Sequence, residues 1–136
     1  MPETSRRTRE QVRAACAHEL ISQIKVGPEA AAKTFGRQCL RLPALIHQCG
    51  LCQTLAFLAK DFGHVVDGLA QVISAAESKK LTGADFAKHA REASMLEYQW
   101  LTREALKSSQ WLKRYAEAIL KVKQTDESKN PGGSGQ

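Results

Sequence analysis

YQWLTREALKSSQWLKRYAEAIL, from Tyr98 to Leu120, is the stretch that sets the architecture of this 136-residue chain. At about 100° per residue along an α-helix, with Arg103 set at zero, six of its apolar side chains fall between roughly 160° and 220°. Those side chains are Tyr98, Leu101, Ala105, Leu112, Ala116 and Ile119. So narrow a face predicts a long helix, from near Ser94 to about Lys123, that packs one side against a core.

The opposite side of this predicted helix carries cations. Arg103, Lys107, Arg114 and Lys121 fall between roughly 0° and 40°, flanked by Trp100 and Trp111 at roughly 60° and 80°. Like charges at spacing four weaken a helix slightly, so a phosphate backbone would explain the row, with tryptophan stacking on a base. The alternative is a solvated face whose tryptophans pack on a neighbouring helix.

The rest of the chain also favours helices, because no alternating run of Val, Ile or Thr predicts a strand. Glycine and proline mark the breaks between them. The predicted segments run from Thr4 or Ser5 to Val26, Glu29 to Leu42, Pro43 to Cys49, Leu51 to Lys60, Val65 to Ser78, Ala84 to Glu92 with Thr82 as its cap, and Ser94 to Lys123. The predicted fold class is all-α, a compact single-domain bundle of about five to seven helices with a long C-terminal helix.

Composition favours one globular domain, with 43% hydrophobic and 25% charged residues. We expect a single helical domain over residues 1–124 and a disordered tail over 125–136, because that segment has no large apolar residue. No stretch is long and apolar enough to span a bilayer, and no targeting segment is evident. A cytoplasmic location without membrane contact is therefore expected.

The chain is basic, with 20 Lys and Arg against 14 Asp and Glu and a net charge of +6. The excess lies in residues 1–41 and 98–136, while residues 42–97 are close to neutral. Besides the row on the last helix, Lys33, Arg37 and Arg41 recur at spacing four on the second predicted helix. Both rows suit nucleic acid or an acidic protein partner.

The sequence offers little for catalysis. None of the four histidines has a carboxylate or nucleophile partner at a useful spacing, and phosphate-binding loops are absent. A metal or redox site built from Cys39, Cys49 and Cys52 is conceivable, but structural zinc takes four ligands and normally two Cys pairs. We expect these residues and Cys16 to be small core side chains. The expectation is no enzyme activity, no metal and no cofactor.

Two stretches resemble a known family. The first is RLPALIHQCGLCQTLAFL, residues 41–58, and the second is YQWLTREAL followed by WLKRYAE, residues 98–106 and 111–117. Together they resemble the small all-helical subunit of the type III-B CRISPR effector, the Cmr complex. His47, Cys49 and Cys52 depart from the family pattern, so the Cys-x-x-Cys is interpreted as drift.

The resemblance implies a non-catalytic role. Members of that family line up as several copies along a filament of backbone subunits and help hold the target RNA that pairs with the guide RNA. The implied partners are the backbone subunit, further copies of this chain, and the duplex of guide and target RNA. The cations assigned to RNA phosphates are Lys33, Arg37, Arg41, Arg103, Lys107, Arg114 and Lys121, and the residues assigned to a partner interface are Trp100 and Trp111. The alternative is a basic protein–protein adaptor that does not touch nucleic acid.

The family-like stretches are also predicted to build the core. Pro43 and Gly50 would bracket a helical turn. The predicted core residues are Leu45, Ile46, Leu51, Leu55, Phe57 and Leu58. Gln53 and Thr54 lie within this apolar run, so each needs a hydrogen-bond partner if it is buried.

Overall fold

The computed structural model describes residues 6–77 and 80–123, and within these ranges it contains six α-helices and no strand. The helices are α1 (Arg9–Lys25), α2 (Glu29–Cys49), α3 (Leu51–Asp61), α4 (Gly63–Glu77), α5 (Gly83–Glu92) and α6 (Met95–Tyr115), which continues into a π-helical turn, Ala116–Leu120. The all-α fold and the long last helix are confirmed. No helix in these ranges is long and apolar enough to cross a membrane. Thr4, Ser5, Ser78, Lys79 and the predicted tail 125–136 lie outside the described residues.

Helices α2 and α6 lie side by side and antiparallel. At one end, the Tyr98 hydroxyl on α6 accepts the backbone N–H of Cys52, just beyond the C-terminus of α2, at 3.0 Å. At the other end, Lys33 Nζ near the start of α2 donates to the carbonyl of Leu120 at 3.3 Å. The two helices that carry the predicted cation rows are therefore neighbours along most of their length.

The core lies between α6 and the helices α1, α2 and α4, all of which pack against it. The predicted inner face of α6 is confirmed, since Leu101, Ala105, Leu112 and Ala116 are buried. Tyr98 and Ile119, at the two ends of that face, are partly buried against the same core. The large side chains that the other helices bury completely include Ile21, Leu40, Leu42, Leu69 and Phe86.

Side-chain caps fix where α5 and α6 begin. The hydroxyls of Thr82 and Ser94 accept the backbone N–H groups three residues later, each at 3.2 Å. An N-cap oxygen of this kind satisfies one of the amide donors that a helix leaves unpaired at its start. The predicted cap at Thr82 and the predicted start near Ser94 are confirmed.

The predicted start of α1 at Thr4 or Ser5 was wrong. The helix begins at Arg9, with Thr8 as its N-cap. The Thr8 hydroxyl accepts the N–H of Gln11 at 3.1 Å, while the Gln11 side-chain oxygen accepts the N–H of Thr8 at 2.8 Å. This reciprocal capping box satisfies two backbone donors together, which places the helix start at this position.

The predicted break at Pro43 was also wrong, because α2 runs unbroken through it to Cys49. Proline removes one backbone hydrogen bond from a helix interior, at a cost of about 3 kcal/mol. The turn beyond Pro43 still packs into the core, where Ile46 is buried. Burial of that side chain, together with the antiparallel contact with α6, offsets the lost bond.

The last helix ends at Leu120 and not near Lys123. Lys121 adopts a left-handed conformation with φ of 60°, which stops the helix. Val122 then turns inward and is buried. A Cβ atom at Gly36 of α2 would lie 3.0 Å from a methyl of Val122, so the glycine allows this close approach.

Two of the predicted core residues lie elsewhere in the structure. Ile46, Leu51, Leu55 and Leu58 are buried as expected, but Leu45 is only partly buried and Phe57 is 48% exposed. Phe57 lies instead beside Phe62 and under the Arg41 guanidinium, on the outer side of α3. The helical spacing on α3 places it one position away from the buried face that Thr54, Leu55 and Leu58 share.

The four cysteines do not share one environment. Cys39 is buried, Cys16 and Cys52 are partly buried, and Cys49 is exposed at the end of α2, so the prediction that it is a core residue was wrong. Burial raises the pKa of the Cys39 thiol. The Cys16 thiol also has a raised pKa, first because of burial and second because of the nearby Glu19 carboxylate. Raised values keep both thiols protonated and unreactive near neutral pH.

Candidate nucleic-acid interface

The outer face of α6 carries a row of exposed cations. Arg103, Lys107 and Arg114 are all exposed, on the side opposite the buried Leu101 and Leu112. None of the three forms an ion pair or hydrogen bond with another described residue. We call these three residues the α6 ridge. Their charges are fixed in position by the helix and are available to an anion from outside.

The cations on α2 are more engaged within the protein than the sequence suggested. Lys33 is partly buried, and its ammonium group donates to the Leu120 carbonyl. The Arg41 guanidinium donates to the Gln38 side chain at 3.4 Å and lies 5.7 Å from the centre of the Phe57 ring. Arg37 lies between them along the helix and is partly exposed. The α2 row thus lies on the helix next to α6, and two of its members also stabilise the fold.

A groove runs between α2 and α6. Pro43 lines it from α2, and Gln110, Lys113, Arg114 and Glu117 line it from the last helix and its π-helical turn. Its volume is about 420 Å³, and its lining is mostly polar and carries two cations and one carboxylate. The sequence had not assigned Lys113 to the cation set. It lies at roughly 280° on the projection that places Arg103 at zero, which is the side facing α2.

Lys121 is exposed, but it lies beyond the helix and therefore does not belong to the α6 ridge. It follows the π-helical turn and is the left-handed residue that ends the helix. The predicted angle assumed an uninterrupted α-helix to Lys123, and each residue added by a π-type turn shifts the positions that follow it. Lys121 is therefore a separate cation near the end of the ridge.

Both tryptophans are partly buried against the core. The Trp111 ring stacks on Tyr115, with ring centroids 5.8 Å apart, and Tyr115 in turn meets the edge of His18 on α1. Trp100 lines a cleft of about 450 Å³ beside α4 and α5. Packing on neighbouring helices accounts for most of the apolar surface of both rings, so their role at a partner interface stays a prediction.

A buried ion pair that the sequence did not predict joins α1 to α6. Arg13 of α1 and Glu104 of α6 are 6% and 4% exposed, and Arg13 Nη2 lies 2.7 Å from Glu104 Oε1. Arg9 approaches the other carboxylate oxygen at 3.6 Å and also pairs with Glu77 of α4. The pair joins α1 to α6 through a contact that is shielded from solvent. A single cation 91 positions from its partner carries no local signal in the sequence.

The two family-like stretches meet in space. The Tyr98 hydroxyl from the second accepts the N–H of Cys52 from the first, at the start of α3 where backbone donors are otherwise unpaired. In the same turn the buried Thr54 hydroxyl donates to the carbonyl of Gly50 at 2.8 Å, while Gln53 is exposed. Gly50 has φ of 87°, which lets the chain pass directly from α2 into α3. Of the two polar residues in the apolar run, Thr54 thus stabilises this corner of the fold.

The described residues contain no group of three or more His, Cys, Asp or Glu side chains placed to hold a metal ion. What they form instead is a surface of fixed cations over a packed helical core. Such a surface can neutralise phosphates without reading a base sequence.

A family model described as CRISPR-associated protein (Cas_Cmr5) matches residues 9–119, from the first residue of α1 into the π-helical turn. The chain belongs to the Cmr5 family. One relative, the CRISPR system Cmr subunit Cmr5 of Thermus thermophilus, is 38% identical over 123 residues, which cover 84% of this chain and 97% of that protein. The family that the two stretches resemble is thereby confirmed.

A solved structure supports the same relationship. The crystal structure of a CRISPR-associated Cmr5 family protein from Thermus thermophilus matches with a TM-score of 0.75 at 35% identity. The match covers 84% of this chain and 98% of that one. The family-model match includes the α6 ridge and the α2 row, whereas Lys121 lies beyond its last residue.

The Tyr98 contact of this Cmr5-family chain gives a stability prediction. Replacing Tyr98 with Phe removes the acceptor for the Cys52 N–H. We expect the free energy of unfolding to fall by about 1 kcal/mol, because a partly buried donor loses its partner. The measurement is urea unfolding followed by circular dichroism. Tyr115→Phe is the matched control, since that ring packs on Trp111 and its change should be near zero. Equal losses for both variants would contradict the assignment.

Proposed function

We propose that this chain is the non-catalytic small subunit of a type III-B CRISPR effector. In this role it assembles with the backbone subunit and with further copies of itself, and it helps hold target RNA paired with the guide. The family membership supports the assignment to such a complex. The finer part of the proposal, contact with RNA, rests on the chain's own surface.

The observation that carries the RNA contact is the α6 ridge. Three cations without an internal partner among the described residues occupy the outer face of a helix whose other face is core. Arg103 and Lys107 are like charges at spacing four, which costs a helix a little stability, and an external polyanion would compensate for it. Arg37, Lys113 and Lys121 would add charge around the ridge, and Lys33 and Arg41 would contribute less because the fold already uses them.

Contacts of this kind are made to phosphates. They position a strand but carry no sequence information, so specificity would come from base pairing between the guide and its target. Trp100 and Trp111 would then serve the fold first and a neighbouring subunit second.

The test is the salt dependence of RNA binding. A triple variant, Arg103→Gln with Lys107→Gln and Arg114→Gln, should bind a guide–target duplex more weakly at low salt. The slope of log affinity against log salt should become shallower by about two to three units, because each phosphate contact contributes roughly 0.7 to 0.9. The measurement is filter binding across about 50 to 200 mM salt.

A control with the same charge change separates the ridge from net charge. Lys25→Gln with Lys60→Gln and Lys88→Gln removes three exposed cations from α1, α3 and α5. We expect it to leave most of the slope intact. Equal slopes for the wild type and the ridge variant would refute the RNA contact, and unchanged RNA affinity with lost assembly would favour the protein adaptor.

A further inference from the structure

A second surface lies away from the α6 ridge. A cleft of about 780 Å³ opens where the end of α1, the start of α2 and the start of α4 diverge, and no described residue of α5 or α6 lines it. Its apolar lining comes from Leu20, Ile24, Phe35, Phe62 and Val65. Small residues at its edge, including Gly27 and the segment 30–32, keep it open.

The charge of this cleft is opposite to that of the protein as a whole. The chain carries 20 Lys and Arg, yet none of those that the structure describes lines the cleft. Two exposed carboxylates, Asp61 and Asp67, line it, and neither forms an ion pair within the described part of the chain; the Asp67 carboxylate also lies against Gly83 at the start of α5. Carboxylates repel phosphate, so this lining disfavours RNA and favours a cation next to an apolar group.

We propose that this cleft receives a basic amphipathic segment of a neighbouring protein subunit, with an apolar side chain on its floor and a Lys or Arg beside Asp61 and Asp67. A cleft of this volume holds a few side chains of an inserted segment. The segment 124–136 of this chain is a poor occupant, because it contains no large apolar residue. This proposal rests on the proposed function only in that the neighbouring subunit belongs to the effector complex.

The α6 ridge and the cleft are separate surfaces. The α6 ridge points away from the core on one side, and the cleft opens between α1, α2 and α4 on another, so RNA and the protein segment can bind at the same time. Variants in one surface should therefore leave the other intact.

The test uses the effector assembled in its own host and purified through a tag on the backbone subunit. Ala31→Trp fills the cleft from an exposed position of α2, and Asp61→Lys reverses one charge of its lining. We expect each to lower the amount of this chain per backbone subunit by about tenfold. The controls Ala15→Trp and Glu10→Lys make the same changes at exposed positions outside the cleft and should leave that amount unchanged.

A photocrosslink identifies the occupant. The photoreactive residue p-benzoyl-phenylalanine in place of Gln71, at the edge of the cleft, should capture a peptide of another subunit that has Lys or Arg near an apolar residue. A crosslink to an acidic peptide, to RNA or to this chain itself would overturn the proposal, as would wild-type incorporation of both cleft variants. Absence of the unmodified chain from the purified effector would instead refute the proposed function, and this inference with it.

Discussion

Replacing Glu104 with Ala should lower the free energy of unfolding by about 3–5 kcal/mol, because it leaves the Arg13 guanidinium buried without its partner. Arg13 is 6% exposed, and its Nε already has no hydrogen-bond acceptor among the described residues. Arg9 cannot replace the lost carboxylate, because it is itself a cation, and its own partner after the change is Glu77. The measurement is the midpoint and slope of denaturant unfolding followed by circular dichroism.

A double variant distinguishes a lost contact from an exposed charge. Arg13→Met with Glu104→Leu removes both charges and fills the space, and we expect its stability to lie within about 2 kcal/mol of the wild type. If the double variant lost as much stability as Glu104→Ala, the cost would come from packing and not from the unpaired guanidinium. Glu104→Gln should fall between the two, because an amide oxygen still accepts a hydrogen bond.

Phe86→Ala should also lower the free energy of unfolding by about 3–5 kcal/mol, through the cavity that it leaves. Phe86 is fully buried and lies on α5, a helix of ten residues that packs on α3 and α4. An isolated helix of that length is marginal in water, so α5 depends on this side chain for its place. Hydrogen exchange of residues 83–92 should become faster than that of α6, alongside the loss in denaturant unfolding.

The matched control is Phe57→Ala on α3. Phe57 is 48% exposed, so truncation should cost about 1 kcal/mol, most of it from its contacts with Phe62 and Arg41. The sequence predicts Phe57 as a core residue, whereas the structure places it on the surface and buries Phe86. A larger loss for Phe57→Ala than for Phe86→Ala would contradict that placement.

Part of the candidate site could be predicted from local pattern. The spacing of Leu101, Ala105 and Leu112 fixed which side of α6 faces the core, and the cations at Arg103, Lys107 and Arg114 then had to face outward. The caps at Thr82 and Ser94 were readable because their partners lie three residues away. The family could also be predicted from the two stretches, because the order of motifs along the chain is visible without the tertiary structure.

Local sequence was sufficient for the helical class, the two faces of α6 and the family, because each depends on residues within a few helical turns. Which cations are free depends instead on tertiary packing. Lys33 is held by the Leu120 carbonyl, Arg41 by Gln38 and Phe57, and Arg13 by Glu104. The continuation of α2 through Pro43 depends on packing in the same way. Contacts between residues far apart in the chain form only when helices pack. Their energies can exceed the local tendency of a proline to break a helix or of a cation to stay in solvent.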